Sequence, residues 1–168
     1  MRVPHFTFHC LGQHRETEPM DAIKHILLVD DDPNDVELTL TALAESNLAN
    51  QVVVARDGAE ALDYLYQRGK FSARQDGLPA VVLLDLKMPK VSGIEVLRQI
   101  RADAYLKLIP VVILTSSREA TDLEQCYQLG VNAYVVKPVQ IQDFINAIKQ
   151  VGIFWILINE LPFGIRNI

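Results

Sequence analysis

The sequence predicts an α/β fold: an open, doubly wound sandwich with a five-stranded parallel sheet and helices on both faces. Three observations lead there. Five apolar runs of four or five residues recur from Lys24 onward, separated by stretches with helical period. The runs are continuous, as strands buried on both faces require, and parallel neighbours need crossovers that are right-handed. The chain has 168 residues, 49% of them apolar and 22% charged. That suits one domain with a sizeable core and is too apolar for a disordered chain.

Each element has its own justification. The first run, Ile26-Leu27-Leu28-Val29, ends in acid. Pro33 suits a first helical turn, and Val36, Leu40 and Leu43 follow at helical spacing. Residues 51–55 form the second run. Asp57 with Glu60 makes a capping pair that opens a helix through Ala61, Leu62 and Leu65, expected to close near Gly69. A polar loop spans 70–79. Residues 81–84 are the third run, and Ser92 with Glu95 opens a helix carrying Ile94, Leu97 and Ile100. Residues 111–114 are the fourth run. A helix over about 120–129 follows, with Gly130 as its stop. Residues 133–136 are the fifth run, and a last helix starts near Gln140.

Composition excludes several classes. Acidic residues number 21 against 16 basic, a formal charge of −5, so no basic footprint marks a nucleic-acid partner. Two cysteines, Cys10 and Cys126, rule out a disulfide framework and point to a reducing, cytoplasmic setting. Residues 151–158 contain Gly152 and fall short of the ~20 apolar residues of a membrane span. The first nineteen residues have neither an apolar signal core nor a cleavage site. The expected division is a disordered extension over 1–22, the folded domain over 23–151, and an extension of the last helix with a tail over 152–168. The N-terminal extension is either a disordered tail or a start-codon artefact upstream of Met20. His5, His9, Cys10 and His14 match no standard zinc spacing.

Open α/β sheets bind ligands beyond the carboxyl ends of their strands. The residues just past the runs are Asp30, Asp31 and Asp32 after the first, Asp85 after the third, Thr115 after the fourth and Lys137 after the fifth. Singly, each has a plain reading: Asp32 as a helix cap before Pro33, Thr115 as a turn former, Lys137 as a solvated charge. Together they resist it. Carboxylates crowded into one cleft repel unless a cation sits between them. Oxygen-only ligands suit a hard ion such as Mg²⁺. A carboxylate with Mg²⁺, a hydroxyl and a lysine is also the equipment for receiving a phosphoryl group.

These residues, with Asp85-Leu86-Lys87-Met88-Pro89, Ser92-Gly93, Thr115-Ser116-Ser117 and Tyr134-Val135-Val136-Lys137-Pro138, resemble the response-regulator receiver domain of two-component signalling. The resemblance covers about residues 24–151, with the motifs in the family's order. It implies the flavodoxin-like strand order 2-1-3-4-5 and Asp85 as the phosphoacceptor. Asp31 is implied to ligate Mg²⁺ directly, Asp30 through a water, with the Lys87 main-chain carbonyl completing the protein ligands. Lys137 is implied to pair with the phosphoryl group, through an expected cis bond to Pro138, and Thr115 and Tyr134 to form the switch. The implied partner is a sensor histidine kinase. The loop 69–79 and the segment 154–160 are closer still to stand-alone regulators of phytochrome-type kinases.

Competing readings fail on particular residues. An EF-hand at Asp30, Asp32 and Asn34 would need glycine at Asp35 and glutamate at Thr41. A flavodoxin phosphate loop is displaced by acids, and P-loop and Rossmann fingerprints are absent. In an Asp-nucleophile hydrolase the usual second carboxylate would stand at Lys87. The alternative that stays open is a receiver-fold module that docks without being phosphorylated. No stretch after Val151 is long enough for an output domain, so either output is expected through a partner or the phosphate is relayed onward to another protein. The last helix carries Phe154, Trp155, Leu157 and Ile158 beyond the expected sheet flank. That stripe either forms a homodimer contact or folds back over its own domain.

Overall fold

In the computed structural model, which describes residues 24–138 and 140–160, the five aliphatic runs form one parallel sheet. Its strands are β1 (Ile26–Val29), β2 (Val52–Ala55), β3 (Val81–Leu84), β4 (Val111–Thr115) and β5 (Ala133–Val136). They lie in the order β2-β1-β3-β4-β5, as expected. The helices are α1 (Pro33–Ala44), α2 (Gly58–Leu65), α3 (Gly93–Ala102), α4 (Ala120–Gln128) and α5 (Ile141–Ile153). The fourth strand gains Thr115, and the second begins at Val52. The predicted N-terminal extension, its histidines and Cys10, and residues 161–168 lie outside the described residues.

The period of two along each strand divides the core. Leu27, Val29, Val82, Leu84 and Ile113 face one side, with residues of α2 and α3. Ile26, Leu28, Val81, Leu83, Val112 and Leu114 face the other, with residues of α1 and α5. Every residue of β1, β3 and β4 is buried, because each strand is paired on both sides and covered on both faces. The edge strands β2 and β5 are mostly half-buried. Val29 lies level with both Ala55 and Leu84. Asp30 and Asp85 therefore leave the sheet side by side, at the point where strand order reverses and a doubly wound sheet opens its crevice.

The caps follow the sequence closely. Asp32, Asp57 and Ser92 accept N–H bonds from Asn34, Glu60 and Glu95 at 2.8, 2.8 and 3.3 Å. One boundary moves. The helix expected to close near Gly69 ends at Leu65, because Gln67 turns left-handed at φ 53°. The Arg68 and Gln67 N–H groups then bond the Asp63 and Tyr64 carbonyls at 2.8 and 3.2 Å, a lock usually built around glycine. The polar loop that follows is anchored. Arg74 bonds Asp76 at 2.6 Å and stacks on the Tyr64 ring, and the Tyr64 hydroxyl bonds His25 and Asp76 at 2.6 and 3.0 Å.

The last helix does continue past Ile153, as a π-type turn over Phe154–Ile158. Of the two outcomes expected for its apolar stripe, folding back over its own domain holds for part of it. Ile156 is buried beside α1 residues, and Trp155 packs against the same cluster. A Cβ at Gly152 would stand 2.5 Å from Leu43 Cδ2, so the glycine lets α5 cross α1 closely. By length and composition, Ile141–Ile158 could cross a membrane. It is two-sided instead: Phe144, Ile148, Gly152 and Ile156 are buried while Asp143 is exposed and Lys149 bonds Glu45.

Candidate functional site

Backbone bonds fix the level of each side chain at the crevice. The Asp30 N–H bonds the Ala55 carbonyl at 3.1 Å, the Asp85 N–H bonds Val29 at 2.9 Å, and the Lys137 N–H bonds Thr115 at 2.8 Å. Carboxylate oxygens of Asp30, Asp31 and Asp85 consequently lie within 4.8 Å of one another. Asp30 and Asp85 are buried and Asp31 is exposed. Lys137 reaches over from β5 and donates to Asp30 at 2.8 Å and to Asp35 at 2.6 Å. Its Nζ stands 3.9 Å from Asp85 Oδ1, an oxygen that is buried and has no hydrogen-bond partner.

The electrostatics follow from this crowding. Burial pushes the Asp30 carboxyl above the usual carboxylate range, the bond from Lys137 opposes it, and the charge of Asp85 adds to the rise. Burial also works against the Lys137 ammonium. Its bonds to Asp30 and Asp35, with the charge of Asp85, outweigh that and hold its pKa above the ordinary lysine value. One lysine thus serves three carboxylates. The orphaned Asp85 oxygen and the hard oxygen donors around it fit a divalent cation.

Thr115 is fully buried, and its Oγ1 accepts the Ser117 N–H at 3.2 Å. Tyr134 is half-buried and its hydroxyl donates to the Ser117 carbonyl at 3.3 Å. The Lys87 side chain turns aside to Asp122, 2.8 Å away. The expected cis bond before Pro138 is a further correction: there is no cis peptide among the described residues. Trans is the favoured isomer of an X–Pro bond by ~0.5–1 kcal/mol, and Lys137 already meets Asp30 and Asp35 from it.

A glycine sets how closely α3 approaches. A Cβ at Gly93 would run into the Asp85 carbonyl oxygen and the Leu86 Cα, which are main-chain atoms and cannot rotate away. Gly93→Ala is expected to lower stability by about 1–3 kcal/mol. Urea unfolding checks this, and an unchanged midpoint would show that the loop after β3 has slack.

Two participants are not singled out by the sequence, Asp35 and Asp122, and Ser117 enters there only as a member of the Thr115-Ser116-Ser117 motif. Both acids lie in a first helical turn, where they look like ordinary dipole partners. The available signal for Asp35 was its place one helical turn past Asp31.

Comparisons with known proteins agree with this geometry. The family model for the response regulator receiver domain matches residues 26–149. Response regulator Rcp1 of Synechocystis sp. is 36% identical over 139 residues, 83% of this chain and 93% of that one. The crystal structure of its Mn(2+)-bound form superposes with a TM-score of 0.77, covering 83% of this chain and 99% of that one. The phosphorylated cyanobacterial phytochrome response regulator RcpA is 40% identical, with a TM-score of 0.77 and coverage of 83% and 98%. The bacteriophytochrome response regulator RtBRR is 59% identical, with a TM-score of 0.68 and coverage of 85% and 86%.

Proposed function

The chain belongs to the response-regulator receiver family of two-component signalling, and on that premise we propose that Asp85 accepts a phosphoryl group from a histidine kinase. The observation that carries this is the Asp85 Oδ1 atom: buried, without a hydrogen-bond partner, and 3.9 Å from the Lys137 ammonium. A carboxylate oxygen in that state has no hydrogen bond to give up before it attacks. It forms a bond to the phosphorus of a phosphohistidine while the P–N bond breaks and the imidazole departs. Lys137 moves its charge from Asp30 toward the phosphoryl oxygens. The Thr115 hydroxyl donates to one of them, which turns it away from the Ser117 N–H. Tyr134, bonded to the Ser117 carbonyl, follows that loop inward, so a local charge event resets a surface.

Asp30, Asp31, Asp85 and the Lys87 main-chain carbonyl would hold Mg²⁺. When bound, that ion neutralises charge on the phosphoryl oxygens. The Mn(2+)-bound form of Rcp1 and the phosphorylated form of RcpA support both readings. The chain is a signalling protein rather than an enzyme acting on other substrates, and loses its phosphoryl group to water by itself. Its kinase is phytochrome-type and its setting the cytoplasm. Output passes through a protein partner without direct contact with nucleic acid. Residues 23–151 carry the signalling site, and the core it rests on runs on to Ile156.

Incubation with a small phosphodonor and Mg²⁺ is expected to add the mass of one phosphoryl group, removable by hydroxylamine. Chelation of the metal should abolish the gain. An unchanged mass would favour docking without phosphorylation.

The end of the last helix forms a homodimer contact in this reading. Phe154, Leu157 and Ile158 are 45%, 63% and 63% exposed and lie together on the turn that follows α5. At ~25 cal/mol per Å² such a patch contributes several kcal/mol before the costs of association. Leu157→Glu spares the buried Ile156 and is expected to shift sedimentation toward monomer. Identical profiles for both proteins would remove the dimer.

A further inference from the structure

Asp122 sits in the first turn of α4, outside the acid cluster and buried to 8% exposure. Its Oδ2 is where two loops meet. It accepts the Ser117 hydroxyl at 2.7 Å and pairs with the Lys87 ammonium at 2.8 Å. Ser117 is in turn wired to the crevice, donating its N–H to Thr115 Oγ1 and accepting the Tyr134 hydroxyl on its carbonyl. The Ser117 Oγ also accepts the Glu119 N–H at 3.4 Å. Glu119 lends a second, weaker charge to Lys87 at 4.0 Å.

The direction of Lys87 is the unexpected feature. It stands two residues past Asp85, a member of the carboxylate cluster, yet its flexible stem carries the ammonium to α4. The bonds to Lys87 and Ser117 hold the Asp122 carboxyl below the usual range, so it remains a charged tether. We propose that Asp122 is a positioning residue that sets the lifetime of the phosphoryl group by holding the Lys87 ammonium clear of Asp85. This rests on the reading of Asp85 as the phosphoacceptor.

Loss of the phosphoryl group is a hydrolysis. A water oxygen bonds to phosphorus, and the bond from phosphorus to the Asp85 oxygen breaks with its electron pair staying on the carboxylate. The protons of the water leave with the phosphate. An ammonium released from Asp122 would pair with the phosphoryl oxygens and occupy space the attacking water needs. Tethered to Asp122, it does neither.

The test loads the full chain with a small phosphodonor and Mg²⁺, removes the donor and follows the decay of the phosphorylated mass. Asp122→Asn is expected to load fully and decay roughly two- to five-fold more slowly, the scale of a partly exposed ion pair. Asp122→Glu restores the charge and returns the decay toward the parental rate. With Lys87→Met already in place, Asp122→Asn makes no difference. Equal decay in Asp122→Asn and the parent overturns the proposal, as does slowing that persists without Lys87. Should Asp122→Asn fail to fold, Asp122→Ser takes its place: the same slowing is expected, and decay at the parental rate overturns the tether. A parent chain that takes up no phosphoryl group overturns the Asp85 reading itself, and this proposal with it.

Discussion

Asp85→Asn is expected to take up no phosphoryl group while folding more stably than the parent. The amide keeps the shape of the side chain at the end of β3 but removes the charged oxygen that attacks phosphorus. Losing a nucleophile of this kind costs on the order of 10³-fold or more in rate. The gain in stability has a separate cause. Asp85 is one of three carboxylates within 4.8 Å, and its charge helps push up the Asp30 carboxyl. Neutralising it relieves that repulsion, so the urea midpoint is expected to rise. Intact mass after phosphodonor treatment and the urea midpoint at unchanged slope report the two effects independently. Phosphoryl uptake at the parental rate would move the acceptor elsewhere. A lowered midpoint would mean that Asp85 is held by attractions stronger than the repulsion.

The fold and the centre of the site are legible in the sequence for one reason. Continuous aliphatic runs mark strands buried on both faces, and parallel pairing brings their last residues to a common edge. Reading one residue past each run therefore finds Asp30, Asp85 and Lys137, which are in fact neighbours. What the sequence conceals depends on partners from other elements. Lys87 looks free to face Asp85, and only the packing of α4 shows that Asp122 claims it. Gly152 reads as a weak point in a helix, whereas its purpose is the close crossing with Leu43. The end of α2 is hidden because its left-handed residue is Gln67 rather than the nearby Gly69.

Lys137→Met should be the most destabilising single change at the site. The Lys137 and Asp30 side chains are 11% and 3% exposed, so their bond is shielded from water. Breaking such a pair leaves a buried carboxylate without its cation, at a cost of about 3 kcal/mol or more. Asp85 Oδ1 also loses the only ammonium within ion-pair distance among the described residues. The pH dependence fixes the sign of the effect. Lys137 has a folded pKa above its unfolded value, so its contribution is complete below about pH 10 and is lost as pH rises through the folded pKa. The methionine variant lacks that alkaline loss. Asp30 shifts in the same direction for a different reason: burial already raises its folded pKa, and removal of Lys137 raises it further. Its charged form then costs stability above the usual carboxylate pKa, and mild acid should recover part of the lost midpoint by protonating it. Mg²⁺ should recover part as well, by supplying positive charge to the same oxygens. Unfolding midpoints of parent and variant at neutral and mildly acidic pH, with and without Mg²⁺, measure all three effects. A variant as stable as the parent at neutral pH, or one indifferent to both acid and Mg²⁺, would mean that Lys137 does not hold the acid cluster together.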